Sequence, residues 1–391
     1  MPPRPPRPAG RPPRGRSGAG RRAGAARPPA PGGRVLRRPR GPASARIVFA
    51  PEPWSRLRPV APRAEPRDGS TIRVLTYNVL LGGERREERI ARVLARAGAD
   101  LIALQEVRDD GMVERLAGRL GMTSVAGAPS DRGPLGLAVL TRLPIAAHRN
   151  RRHPGMLRSH LEVTVEPRRG ERLRFHVVHL AARFGERAKG EARRLRELEA
   201  VLQDIAGEPR LPHLILGDFN SLSPGDHLEA TRFFRRMNAL RRARLLVRGA
   251  DGWMGPVAGA EEALDARWLA QGIDPRLQGG VPSLPWVVGP LTGLLPERPA
   301  VDRVLGRAIE RWTVPRLLEA GYTDCFRHLH PRAHGYTCAT WLPAARIDYI
   351  FASSEVVPRV VGCDVLSGRG RAAREVATAS DHFPVTAELR V

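Results

Sequence analysis

Cysteine is scarce in this chain, and the three present, Cys325, Cys338 and Cys363, are odd in number and widely spaced. That count argues against a disulfide framework and against a structural zinc site built on closely paired cysteines. Long apolar runs are also missing. The first 45 residues offer Pro, Arg and Gly in place of the continuous apolar stretch of a secretory signal. The most apolar later segment, Val281 to Leu295, is too short to span a bilayer and is interrupted by Pro282, Pro285 and Pro290. A cytoplasmic protein without a transmembrane segment is expected, with a monomer as the expected oligomeric state. Lysine is nearly absent too: of 65 basic residues only Lys189 is a lysine.

Arginine is abundant instead, and the formal net charge over 391 residues is +25. The surplus is unevenly placed. Residues 1 to 68 carry 17 Arg against Glu52, Glu65 and Asp68, or +14, which leaves 25 − 14 = +11 for the rest. Two readings compete: a basic tail that holds a polyanion, or a GC-rich genome placing arginine wherever it is tolerated. Residues 1–70 alternate Pro with Arg and Gly and cluster few hydrophobes, so that segment is expected to be disordered. A compact domain is expected over 71–391, with an insertion at about 221–320, where regular patterning fades into Arg-rich and Pro/Gly-rich stretches.

From Thr71 the pattern alternates. Arg73–Leu80, Leu101–Val107, Leu137–Leu140, Leu161–Val165, Leu173–Leu180, His213–Leu216, Ile347–Ala352 and Val385–Leu389 read as strands. Ile90, Val93, Leu94 and Ala97 sit at helical spacing within Arg85–Ala97, and Leu195, Leu198, Val201, Leu202 and Ile205 form the stripe of a second helix over Glu191–Ile205. Many strands with a few helices between them predict a layered α/β domain.

The unusual polar residues fall at the ends of these runs: Asn78, Glu106, His179, Asp218 with Asn220, Asp348, and Asp381 with His382. Polar side chains at strand ends can converge on one rim of a rigid sheet. Hard oxygen donors suit Mg²⁺ or Mn²⁺, and Glu106 and Asp381 are the leading ligands. Such a set suits attack of water on phosphorus, with Asp218 as base, Asn220 binding phosphate without repelling it, His382 oriented by Asp348, and His179 donating a hydrogen bond. Other histidines carry less: His148, His153 and His160 read as surface or packing residues, and His328, His330 and His334 have only a loose zinc-like spacing. Arg158 and Arg193 or Arg194 are candidates for contact with substrate phosphate.

Thr76-Tyr-Asn-Val, Leu104-Gln-Glu-Val, Val178-His-Leu, Gly217-Asp-Phe-Asn-Ser, Arg346-Ile-Asp-Tyr-Ile and Ser380-Asp-His-Phe-Pro-Val stand in this order over residues 71 to 391. Together they resemble the endonuclease/exonuclease/phosphatase superfamily, and Gly136-Leu-Ala-Val-Leu-Thr-Arg resembles its intervening strand. The resemblance implies a four-layer αββα sandwich of two packed sheets flanked by helices. It also implies that Asn78, Glu106 and Asp381 gather the metal, that Asp218 handles the water, and that Asp348 pairs with His382. The implied substrates are nucleic acid, phospholipid or a small phosphodiester. His179-Leu180 looks more like the sphingomyelinase, phosphoinositide phosphatase and general nuclease branches than the abasic-site nucleases. Against that, Asp324-Cys-Phe-Arg-His-Leu-His-Pro and Gly335-Tyr-Thr, with Trp341 after them, are similar to a repair-nuclease loop. The competing reading is a non-catalytic polyanion-binding protein that acts through its basic tail.

Overall fold

The computed structural model describes residues 70–391 apart from 84–85, 109–110, 128–134, 183–187, 233–234, 236–245, 249–252, 257–280, 283–295, 308, 341–342 and 369. The expected tail up to residue 69, much of the 221–320 segment, and Trp341 lie outside the described residues.

The domain is built on two parallel strand–helix–strand units. In the first, β1 (Thr71–Asn78) leads through α1 (Glu87–Ala97) to β2 (Leu101–Arg108); in the second, β7 (Glu171–His179) leads through α3 (Ala188–Ala206) to β8 (His213–Asp218). Between them run α2 (Met112–Leu120), β3 (Thr123–Ala126), β4 (Leu135–Thr141), β5 (Ile145–Arg151) and β6 (His160–Arg168). After β8 come three short strands, β9 (Leu246–Arg248), β10 (Trp253–Pro256) and β11 (Val281–Pro282), which form a small sheet of their own. Then follow α4 (Pro299–Arg307), α5 (Thr313–Glu319), β12 (Thr323–Asp324), α6 (Cys325–Leu329), β13 (Asp348–Ala352), β14 (Val360–Val365), α7 (Gly370–Ala379) and β15 (Val385–Arg390). The two large sheets have six strands each, in the orders β14-β15-β1-β2-β4-β3 and β12-β13-β8-β7-β6-β5.

The strands expected from sequence are all present, and period-two burial shows why they form a sandwich. In β8, Leu214 and Leu216 point into the core between the sheets, while Ile215 joins a second cluster beneath α3 and α5 with Leu198, Val201, Val314 and Leu317. In β13, Ile350 and Ala352 face inward and Tyr349 and Phe351 face the helices. A sheet buried on both faces needs a layer on each side. On the other sheet that layer is α1 and α2, whose stripes are Ile90, Val93, Leu94 and Ala97, and Val113, Leu116 and Leu120. Helix α1 begins with Glu87 and Glu88, complementing its dipole, and ends at Gly98, whose left-handed backbone returns its N–H to the carbonyls of Leu94 and Ala95.

Helix α3 departs from its simple apolar stripe. Its first half buries Glu191, Arg194 and Glu197. Glu191 Oε1 accepts the N–H groups of Trp312 and Thr313, both at 2.9 Å, and so caps α5 from a distance. Helix α5 thus belongs to the buried framework, although its sequence lies in the stretch where patterning fades.

Candidate active site

The topology explains why the polar residues meet. Both parallel pairs end on the same rim, with Asn78 beside Gln105 and His179 beside Asp218 in register. The antiparallel neighbours begin on that rim: Asp348, the first residue of β13, pairs with Asp218, and Asp381 and His382 stand two residues before β15. Carboxyl ends of parallel strands are where α/β sheets place ligand sites.

Two local irregularities aim the side chains. The pairing of β2 with β4 slips between Gln105 and Val107, which leaves Glu106 as the extra residue of a bulge, with φ +61°. The strand expected over Leu101–Val107 runs one residue further, to Arg108. A non-glycine residue in the left-handed region of a bulge is strained, and such strain collects where it aims a functional group. Asn220, at φ +48°, lies in the same region just past β8. Gly217 marks the closest approach of the β7 and β8 backbones: at φ +146°, a Cβ would lie 1.9 Å from the Val178 carbonyl oxygen. Gly217→Ala is therefore expected to destabilise the protein by at least about 2–3 kcal/mol; a urea midpoint equal to wild type would show that the two strands are not held so closely.

Asp218 is the hub. Its Oδ1 accepts the Asn220 N–H at 2.9 Å, and its Oδ2 accepts from Asn78 Nδ2 at 3.0 Å. That same Oδ2 lies 3.3 Å from His179 Nε2 and 3.9 Å from His382 Nε2. His382 Nδ1 donates to Asp348, 2.8 Å from Oδ2. Asn78 also reaches Glu106 Oε1 at 3.4 Å, and the Leu81 N–H binds Glu106 Oε2 at 2.7 Å. Asp381 is tied in through Ser380, whose hydroxyl donates to the Asn78 carbonyl at 2.6 Å and lies 3.4 Å from Asp381 Oδ1. All eight residues expected from sequence thus line one rim.

Their environments differ. Burial, and then the neighbouring Asp348, push the Asp218 carboxyl up to about 7. Burial, with Glu106 adding to it, brings Asp381 to about 7 as well, against the pull of His382 and Arg86. Burial alone would lower His382, but Asp348 and then the Cys338 and Asp381 side chains raise it well above the ordinary imidazole value. Burial, Arg158 and His382 hold His179 well below it, so that ring is neutral. Although His179 Nε2 lies near Asp218, neither of its buried nitrogens has an aligned hydrogen-bond partner.

Glu106, Asp218, Asp348 and Asp381 face one cationic imidazole here, and this excess of negative charge fits a divalent cation. Asp218, Asp348 and His382 have ligand atoms within 4.8 Å of one another. Because His382 Nδ1 already serves Asp348, that trio is better described as an oriented imidazole facing a carboxylate. The oxygens that could share a cation lie on the Glu106, Asn78 and Asp381 side, where Asn78 Oδ1 also accepts the Leu80 N–H at 2.9 Å.

A carboxyl raised on folding binds its proton more tightly when folded. That stabilisation is complete below the ordinary 3.8 and is lost as pH rises through about 7. Cation-free protein is therefore expected to lose stability over this interval. The melting-temperature gain on adding Mg²⁺ should be larger at about pH 8 than at about pH 5; an equal gain at both would contradict the carboxylate site.

Some expected contacts resolve differently. Asn220 Nδ2 donates to the Leu180 carbonyl at 3.0 Å, which leaves one N–H of that amide for other partners. Arg194 is buried against Glu191 and the Ala181 carbonyl. Arg158 stays next to the site, 3.4 Å from the Leu180 carbonyl. His328, His330 and His334 do not converge: His328 is exposed, His330 Nε2 meets the Cys363 carbonyl at 2.8 Å, and His334 stacks on Tyr336. Sequence reasoning missed Ser380, which ties Asn78 to Asp381, and Asp226, which binds the buried Arg346. Ser380 stands next to a recognised motif residue, whereas nothing local marks Asp226.

The chain belongs to the endonuclease/exonuclease/phosphatase family, whose profile matches residues 75–382, a span that holds every rim residue described above. It is a family of hydrolases of phosphoester bonds. A DNA repair nuclease, APEX1, from Danio rerio is 39% identical over 90 residues, which make up 21% of this chain and 26% of that protein. The chain thus matches about a quarter of that relative's length. Among solved structures, an endonuclease/exonuclease/phosphatase from Beutenbergia cavernae superposes with TM-score 0.51 at 20% identity, over 82% of this chain and 72% of that one. An AP endonuclease from Archaeoglobus fulgidus gives TM-score 0.50 at 15% identity, over 82% and 100%. At these identities the structural likeness concerns the fold. No described helix is long and apolar enough to cross a membrane.

Proposed function

We propose that the protein is a Mg²⁺- or Mn²⁺-dependent phosphoester hydrolase in which Asp218 orients and deprotonates the attacking water. The observation that carries this reading is Asp218 Oδ2 itself, buried between two imidazoles and one carboxamide donor at 3.3, 3.9 and 3.0 Å. A carboxylate at about 7 is matched to proton transfer near neutrality. Glu106, Asp381 and Asn78 would hold the cation, which when bound supplies positive charge to the phosphoryl oxygens and leaving group. His382, kept cationic by Asp348, places a charged Nε2–H donor where negative charge grows on phosphorus. His179, neutral and without an aligned partner, offers a second donor at no charge. Asn220 holds Asp218 through its backbone N–H, and the amide hydrogen not given to Leu180 would serve a bound phosphate.

Nucleic acid is the substrate class to test first, supported by the similarity over 90 residues to a DNA repair nuclease and by the basic residues of 1–68, which would add a salt-sensitive hold on polyanions. The test is a Mg²⁺-supplemented panel of plasmid DNA, abasic-site duplex, RNA, phosphoinositides, sphingomyelin and small phosphodiesters, with Asp218→Ala beside it. Cleavage that vanishes with EDTA and with Asp218→Ala is expected. Cleavage that the variant retains at the wild-type rate would remove the assignment.

A further inference from the structure

A second cluster lies away from the rim, on the helix side of the second sheet, where β6, the segment before it and the end of α3 come together. His153, His160 and Asp204 each turn one ligand atom to a common point, and those atoms all lie within 4.8 Å of one another. His153 Nε2 is 3.3 Å from Asp204 Oδ2, and His160 Nδ1 is 3.7 Å from the same oxygen. None of the three atoms has a hydrogen-bond partner, and the His160 side chain is fully buried. Three polar atoms facing one another without a hydrogen bond leave their desolvation uncompensated.

We propose that His153, His160 and Asp204 form a binding site for a zinc-type transition-metal ion, separate from the catalytic cation. Two imidazoles and one carboxylate suit zinc, with a fourth position left for water. Donors about 2.0–2.1 Å from a tetrahedral ion stand roughly 3.4 Å apart, and the two separations from Asp204 Oδ2 bracket that value. Burial lowers His153 and brings His160 down to about 3, so both rings are neutral and offer lone pairs. His160 Nε2 lies 3.0 Å from His176 Nδ1, a contact that fixes the ring and leaves Nδ1 as the ligating nitrogen. Arg151 is a cation in contact with the cluster. It donates to Asp204 Oδ1 at 3.2 Å and pairs with Glu208, which leaves Oδ2 free, and Glu162 and Glu208 offset its charge and that of Arg174.

The site would fasten the segment between β5 and β6 to α3. That segment includes Arg158, beside the Leu180 carbonyl, and Leu157, whose N–H is held by Glu197 of α3 at 3.1 Å. The ion's role is structural, bracing one wall next to the catalytic rim.

The test uses full-length protein stripped of metal, with Zn²⁺ titrated against a chromophoric chelator and Co²⁺ followed by visible absorption, in wild type, Asp204→Asn, His153→Gln and Glu106→Gln. His153 and Asp204 are partly exposed, so their variants should fold, which circular dichroism checks. Expected are a bound Zn²⁺ with a tetrahedral-type Co²⁺ band, and a loss of affinity of roughly tenfold or more in Asp204→Asn and His153→Gln, with the band unaffected in Glu106→Gln. Absence of the band in wild type, or a band that survives both Asp204→Asn and His153→Gln, overturns the proposal, and its loss in Glu106→Gln instead places the ion at the catalytic rim. Hydrolysis is not measured, so failure here is distinct from failure of the catalytic reading.

Discussion

Asp218→Asn is expected to lower kcat/KM for the phosphoester substrate on the order of a hundredfold to ten-thousandfold while leaving the fold intact. The substitution keeps the shape and removes both the base and one negative charge. Asn78 Nδ2, at 3.0 Å, and the Asn220 N–H, at 2.9 Å, converge on this side chain, and an amide supplies only one acceptor oxygen for the two. Water would then lose the group that takes its proton. Burial favours the neutral form of this side chain, which offsets the acceptor lost to one of the two donors, so the fold should be retained with the thermal midpoint within a few degrees of wild type. The pairing of lost rate with retained stability separates chemistry from damage. Activity within tenfold of wild type would mean that another group activates the water.

Arg346→Met is expected to destabilise the domain by about 3–5 kcal/mol, because it leaves buried carboxylates without their cation. Only 1% of the Arg346 side chain is exposed. Its Nε and Nη2 donate to Asp226 Oδ2 and Oδ1, each at 3.0 Å, and Nη2 also meets Asp324 Oδ2 at 2.6 Å. The guanidinium lies 4.5 Å from the Tyr349 ring centre and 5.4 Å from that of Phe326. Asp226 keeps Arg327, whose Nη2 is 2.6 Å away, and Asp324 caps α6 through the Arg327 N–H. Asp324 is then the carboxylate left without a cation, so adding Asp324→Asn, which keeps the helix cap, should recover part of the loss. Urea unfolding reads both variants, and a change below about 1 kcal/mol in Arg346→Met would show that the pair is solvated. Asp348 lies two residues on, between Arg346 and Tyr349, so the same knot fixes the residue that orients His382.

What was legible from sequence follows periodicity. Strand β8 and helix α1 announce themselves because each buries a full face, and the polar residues at strand ends stand out against apolar runs. Strand β5 is an edge strand whose residues are exposed or half-buried, so it carried no apolar signal. The buried polar face of α3 was hidden because charged residues read as solvent-facing until their partners are known.

Eight strand runs and the rim residues were legible in the sequence alone, because burying apolar side chains at period two requires those strands, and a polar residue ending such a run needs a reason to be there. The tertiary structure decided what depends on contacts between distant segments: the bulge that turns Glu106 to the site, the Asp226–Arg346 pair across 120 positions, and the meeting of His153, His160 and Asp204. Local spacing carries no record of these, since each arises where separate strands, turns and helices are packed against one another.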